Sequence, residues 1–276
     1  MTPEEIERIT RIAMEFGVES VKITGGEPML RADILEIVER LGKLGLRDLS
    51  MTTNGYRLRE LAGALKDRGL MRVNISLHTV DPVKFAWITG FHDLEKGKNT
   101  FKHTVEAIKK SIEVGFDPVK LNVVVMKNVN ENELHDLIKF AEDLNSSRRV
   151  ILQLIELVSC GSAPKIFAKY HFDLTPLERE VSAMAVKKVV RRLHLRTQYQ
   201  LPNGVWIEFV KPMNNYVFCM NDNRLRITHD GEFKPCLMRD DNHIPFLAAM
   251  RAGADDEELK KLFLKAVEAR EPFWKP

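Results

Sequence analysis

Residues 18–28 read Val-Glu-Ser-Val-Lys-Ile-Thr-Gly-Gly-Glu-Pro. A short apolar run, Val18 to Ile23, stops at a Gly-Gly turn that leads into a proline. This pattern reads as a strand ending in a tight loop. Just upstream, Thr2-Pro3-Glu4-Glu5 supplies a helix cap, a first-turn proline and a capping-box glutamate. Ile6, Ile9, Ala13 and Phe16 follow at helical spacing, and Gly17 closes the helix. Downstream the unit recurs: helical spacing over 34–44, 58–65, 101–114 and 134–144 alternates with apolar runs over 46–51, 71–77, 119–126 and 150–157. Such alternation predicts an α/β fold with a parallel sheet and helices outside it. The Val/Ile/Leu-rich runs predict strands covered by helices on one face and packed against apolar neighbours on the other. A closed eight-stranded barrel takes roughly 250 residues of these units. The expected form is therefore a partial TIM-like (βα) barrel or an open sheet. The array opens on a helix, so the first strand of such a barrel is expected to be missing.

Beyond residue 158 the rhythm changes. Residues 159–175 have loop character. Residues 175–193 read as a helix ending in a basic run, Lys187, Lys188, Arg191 and Arg192, with Arg196 just after. Pro202-Asn203-Gly204 suggests a hairpin over 199–210, and His229-Asp230-Gly231 a second one. Two helices are expected near 241–252 and 255–270. The domains expected are 1–158, the βα core, and 159–276, a smaller α+β lobe packed on it.

The 276 residues are 44% hydrophobic and 29% charged, as in a globular chain and unlike a disordered or fibrous one. No apolar run reaches the roughly 18 residues of a membrane-spanning helix. The acidic start is no signal peptide. Lysine and arginine total 42 against 39 acidic residues, a balance that argues against a duplex-DNA partner. Three cysteines make no disulfide framework. A cytoplasmic location, with no membrane and no nucleic acid partner, is the expectation.

Three groups of residues could carry chemistry. The first is Thr24-Gly25-Gly26-Glu27-Pro28, after a strand end, where α/β sheets bind ligands. Its glycines allow close backbone approach and Glu27 could accept from an ammonium group; a plain turn with Glu27 at a helix start explains the same residues. The second is the polar content of the strand ends: Thr52-Thr53-Asn54-Gly55, Ser76-Leu77-His78, Lys120 and Asn122, and Gln153 and Glu156. A lysine inside VKLNVVV either snorkels to the rim or faces a ligand. The third is the Cys219 to Cys236 stretch. Two thiols and a carboxylate there could hold iron or zinc, or could be two buried free cysteines. Arg224 and Arg226 alternate, so both face one side, as suits phosphate or a purine. Cys160 lies alone in a loop and reads as incidental.

Together these groups resemble the radical S-adenosylmethionine (SAM) superfamily and, within it, the GTP 3′,8-cyclase family of molybdenum cofactor biosynthesis, archaeal type. TGGEP at 24–28, TTNG at 52–55, NISLH at 74–78, VKLNVVV at 119–125 and FCxxxNRLRxTxDGxxKxCL at 218–237 come in that family's order. The resemblance implies a radical SAM lyase that cleaves SAM reductively and closes the GTP ribose onto guanine C8, giving 3′,8-cyclo-7,8-dihydro-GTP. It implies SAM contacts at Gly26, Glu27, Ser76 and Val158, and GTP contacts at Lys22, Thr52, Lys120, Arg224 and Arg226. It places Cys219, Asp222 and Cys236 where three cysteines hold a C-terminal 4Fe–4S cluster. An electron donor and a homodimer are the other partners expected. Two departures qualify this. The family's CxxxCxxC loop, which binds the radical-generating 4Fe–4S cluster, has no counterpart here. Asp222 stands in place of a cysteine, so a weak C-terminal cluster is expected. The competing readings are a non-catalytic nucleotide-binding relative and another radical SAM enzyme.

Overall fold

In the computed structural model, which describes residues 1–144, 149–159 and 164–276, the helix–strand alternation folds as a mostly parallel sheet. Helix α1 (Pro3–Glu15) begins with the capping box: Thr2 accepts from the Glu5 N–H and Glu5 caps the Thr2 N–H in return. Then come β1 (Ser20–Ile23), α2 (Ile34–Lys43), β2 (Asp48–Thr53), α3 (Leu58–Asp67) and β3 (Arg72–Ser76). Helix α4 (Pro82–Ile88) was not anticipated. Asp81 caps it by accepting from the Val83 and Lys84 N–H groups, and Pro82 takes the first helical position. Helix α5 starts earlier than periodicity suggested, at Leu94, and runs to Glu113 because Asp93 caps it. The core continues through β4 (Val119–Val125), α6 (Leu134–Leu144) and β5 (Val150–Glu156).

The second half departs more from expectation. The 159–175 stretch contains a helix, α7 (Pro164–Tyr170); Cys160 lies outside the described residues. The helix expected over 175–193 stops early as α8 (Thr175–Met184). Its basic run is instead an edge strand, β6 (Lys187–Val190), which pairs antiparallel with β7 (Thr197–Gln200). The Pro-Asn-Gly hairpin joins β7 to β8 (Trp206–Val210) as expected. These strands do not pack on the parallel sheet but extend it, because β8 runs parallel to β5. The eight-stranded order is β1-β2-β3-β4-β5-β8-β7-β6, an open arc with β1 and β6 at its edges. A small lobe follows: α9 (Tyr216–Met220), β9 (Arg226–Ile227), β10 (Glu232–Lys234), β11 (Ile244–Pro245), α10 (Leu247–Arg251) and α11 (Asp256–Glu268). Among the described residues no helix is long and apolar enough to cross a membrane.

Alternation divides the parallel strands between two environments. Leu49, Met51, Val73, Ile75, Val119, Leu121, Val123, Leu152, Leu154, Ile207 and Phe209 form one face, packed with Val38, Leu65, Ile108, Leu137 and Val181 of the surrounding helices. The residues between them, registered side by side, make the other face. Lys22, Ser50 and Arg72 form one row; Thr52, Asn74 and Lys120 a second; Ser76, Asn122, Gln153, Glu208 and Gln198 a third. Strands read as nearly continuously apolar thus divide in two: the face without helices is polar. A second core joins Ile9 and Ile12 of α1 to Phe233, Phe246, Leu259 and Phe263 of the small lobe.

The helix-covered core is the main source of stability, since each buried Leu or Ile contributes roughly 1.5–3 kcal/mol. Leu121, at the centre of the sheet, is fully buried. Leu121→Ala should lower the unfolding free energy by about 2–5 kcal/mol, read as a fall in urea midpoint at unchanged m-value.

Candidate functional site

The polar rows open where the strands end. The β1 turn is shaped by Gly25, whose φ of +134° suits only glycine. Gly26 follows it, exposed and with open space where a side chain would stand. Glu27 is committed to the neighbouring strand. It accepts from Thr53 Oγ1 and the Asn54 N–H, each at 2.7 Å, and from the Met29 N–H at 3.1 Å. Its carboxylate therefore locks the β1 and β2 loops together. Thr52 and Ser76 are half-buried on the polar face, and Val158 lies half-buried after β5. His78 continues β3 with a left-handed φ of 63°. Its Nδ1 accepts from the Val124 N–H at 3.2 Å, and burial pushes the imidazole down to about 4. The ring thus stands neutral, and the backbone strain marks this strand end as constrained.

Cations dominate the deeper part of the face. Lys22 opens to the cleft, but its crowded surroundings, and then Arg72, Arg224, Lys120 and Arg196, push its ammonium down to about 7. Arg72 is held by Asp48, with Nε 2.6 Å from the carboxylate. Lys120 is buried, not snorkelling. It donates to Glu208 Oε2 at 2.5 Å across the intervening β5. Burial lowers the Lys120 ammonium, Glu208 partly restores it, and Arg191 and Arg196 lower it further. Glu208, Gln198, Arg191 and Arg196 were not singled out as site residues. Glu208 would have been the hardest to find. It sits in WIEFV much as Lys120 sits in VKLNVVV, but its meaning depends on β8 lying beside β5.

Next to this group, His194 and Asp222 organise the third cluster. His194 has a φ of 59°, stacks on Phe218 at 3.7 Å and donates its N–H to the Asn221 carbonyl. Its Nδ1 lies 3.1 Å from Arg224 NH2, and its Nε2 lies 3.0 Å from Asp222 Oδ1, out of hydrogen-bond line. Asp222 also faces Arg224 and Arg270 at 3.6 Å and Arg226 at 3.8 Å. Burial opposes ionisation of Asp222, but His194, Arg226 and Arg224 hold its carboxyl well below the usual range. Arg270 donates to the carbonyls of Cys219, Arg224 and Pro235, so the two cysteine-bearing turns do meet. Both thiols are half-buried and unbonded. Among the described residues, however, no three His, Cys, Asp or Glu side chains gather in metal-holding geometry. With its carboxylate facing a histidine and three arginines, Asp222 does not complete a donor set with Cys219 and Cys236. The residues present do not fit a three-ligand 4Fe–4S cluster.

Several buried nitrogens lack acceptors: Arg196 Nε, Arg224 Nε, Arg226 NH1 and His194 Nε2. Buried donors without partners are costly and uncommon. Around them Lys22, Arg72, Lys120, Arg191, Arg196, Arg224, Arg226 and Arg270 outnumber the carboxylates Asp48, Glu208 and Asp222. The cleft is built for a polyanion.

Residues 1–141 match the family model of the radical SAM superfamily, and residues 150–276 match that of Molybdenum Cofactor Synthesis C. The chain is 46% identical over 280 residues to a protein of Thermococcus kodakarensis named "probable GTP 3′,8-cyclase", covering all of this chain and 87% of that one. Proteins of the same name from Pyrococcus horikoshii and Archaeoglobus fulgidus are 47% and 42% identical, covering 99% and 100% of this chain and 86% of each relative. Among solved structures, Streptococcus suis SuiB bound to S-adenosylmethionine superposes with a TM-score of 0.61 at 18% identity, over 86% of this chain and 53% of that chain. That likeness supports the fold.

The lowered Lys22 ammonium has a pH signature. Between about pH 7 and its unfolded value near 10.4, the unfolded chain binds a proton that the folded chain does not. Stability of the unliganded protein should therefore rise with pH through this window. Because the Lys22 side chain is exposed, solvent screens the effect, and Lys22→Met should flatten the slope by well under one proton, measured from urea midpoints at about pH 7 to pH 9.

Proposed function

We propose GTP 3′,8-cyclase activity in molybdenum cofactor biosynthesis, on the premise that the chain belongs to the radical SAM superfamily and, within it, to the GTP 3′,8-cyclase family. The observation that carries the reading is the excess of cations over carboxylates on this face, where Arg196 Nε, Arg224 Nε and Arg226 NH1 are buried without a hydrogen-bond acceptor, the last two standing 3.6 and 3.8 Å from Asp222. A triphosphate supplies acceptors at hydrogen-bond distance and balances the excess of positive charge. Lys22 and Thr52 border the same face from β1 and β2, and Lys120 reaches it from β4. SAM, the radical source of this superfamily, is assigned to Gly26, Glu27 and Ser76 at the strand ends with Val158 on the β5 side, a reading supported by the open space at Gly26. What this chain's own residues supply is binding, orientation and exclusion of water from a charged ligand. An electron donor, a homodimer and a cytoplasmic setting belong to the same proposal.

Guanosine, which lacks the phosphates, should bind far more weakly than GTP by calorimetry. Arg224→Ala removes a charge-assisted contact worth roughly 1.5–3 kcal/mol and should weaken GTP about tenfold or more. Equal affinity for GTP and guanosine would overturn the reading. The Asp222 arrangement favours a second reading, a nucleotide binder without catalysis. Anaerobic incubation with SAM, GTP and a reductant separates the two: formation of 5′-deoxyadenosine supports the cyclase, and GTP binding without it supports the binder.

A further inference from the structure

Among the described residues Glu208 is the one carboxylate at the centre of the polar face, and it has no solvent exposure. It accepts from Lys120 Nζ and Gln198 Nε2, each at 2.5 Å. Arg196 NH1 lies 2.8 Å away and Arg191 NH1 3.2 Å. These donors come from β4, from β7, and from the segments just before β7 and just after β6. One carboxylate thus gathers side chains from both sides of β8. It does not neutralise them: three cations share a single negative charge, and Arg196 Nε is left buried without an acceptor. A buried ion pair kept only for stability would balance its charges, because uncompensated buried charge is costly.

We propose that Glu208 is a positioning residue for the polyanion, fixing Lys120, Arg191 and Arg196 as one cationic platform on which a phosphate group completes the charge balance. This rests on the reading of the cleft as a triphosphate site. Glu208 keeps Lys120 usable. Burial and the facing cations Arg191 and Arg196 favour a neutral amine, and Lys22 lies on the same face; Glu208 is the group that opposes them. With Glu208 in place the Lys120 ammonium is lowered to about 7; without its charge, Lys120 gives up its proton at still lower pH in the unliganded protein and must recover one when phosphate binds. Binding then becomes linked to proton uptake.

Glu208→Gln keeps the shape and removes the charge. GTP affinity of the full chain, measured by calorimetry between about pH 5.5 and pH 7, should already fall by about tenfold per added pH unit in Glu208→Gln, where the wild type, whose Lys120 ammonium is lowered only to about 7, holds its affinity. Inorganic pyrophosphate, which carries no base, should show the same steepening. Adding Lys120→Arg, whose guanidinium stays charged, should restore the wild-type slope. A residue that only stabilised the fold would lower the melting temperature without changing the slope. If Glu208→Gln does not fold, Glu208→Asp withdraws the charge by one methylene and should steepen the profile in the same sense. A wild-type pH profile in a folded variant overturns the role of Glu208. No GTP or pyrophosphate binding by the wild type at any pH overturns the triphosphate reading on which it rests.

Discussion

A strand in this sheet must place neighbouring side chains in opposite surroundings, and that constraint governs the molecule. Helices cover one face so completely that Leu49, Val73, Leu121 and Leu152 see no water. The stability collected there lets the other face carry Lys120, Gln153 and Glu208 out of bulk solvent. Charges in such a setting interact strongly and cannot be left to chance. Hence the carboxylates sit among the cations at fixed points: Asp48 beside Arg72, Glu208 beneath Lys120, Asp222 between His194 and the arginines. The site is what remains when a parallel sheet has helices on only one side.

Local signals reported most of the core faithfully. The capping box at Thr2, the Gly17 stop and the repeated helix–strand units all describe backbone choices made within a few residues, and the structure follows them. What was missed depends on distant partners. Helix α4 is too short for a two-turn pattern to register, and Asp81 with Pro82 was the available signal. The Lys-Lys-Val-Val stretch of β6 looks like the end of a basic helix until β7 offers it backbone hydrogen bonds. The polar face was legible only in pieces, at the strand ends and at Lys120, Asn122 and Gln153; Arg72 and Asn74 joined it only through pairing, because register is a property of neighbours.

The same division holds for the candidate site. Lys120 was legible as an oddity because a charge within VKLNVVV conflicts with its surroundings. Arg224 and Arg226 were legible as an alternating pair. Glu208, Arg191 and Arg196 were not, since the crossover from β5 to β8 alone brings them to Lys120. Position 222 was visible as an aspartate where the family motif has cysteine. That this carboxylate would meet His194 could not be read from sequence, because His194 reaches it from a strained turn on another segment.

Helix α1 has a consequence for how the chain is made. Ile9 and Ile12 are covered by Phe246, Leu259 and Phe263, and the rim is tied by Arg8 to Asp256, Glu5 to Arg251 and Glu15 to Lys260. On a ribosome these isoleucines emerge well before the residues that cover them, which lie more than two hundred positions further along the sequence. At roughly 5–20 residues per second, that interval is on the order of tens of seconds. Throughout it Ile6 and Met14 can already settle on the parallel core beside α2, but the Ile9 and Ile12 side of the helix stays uncovered, a natural landing place for a chaperone. The parallel core can assemble strand by strand as it appears, whereas the small lobe and α1 must wait for each other.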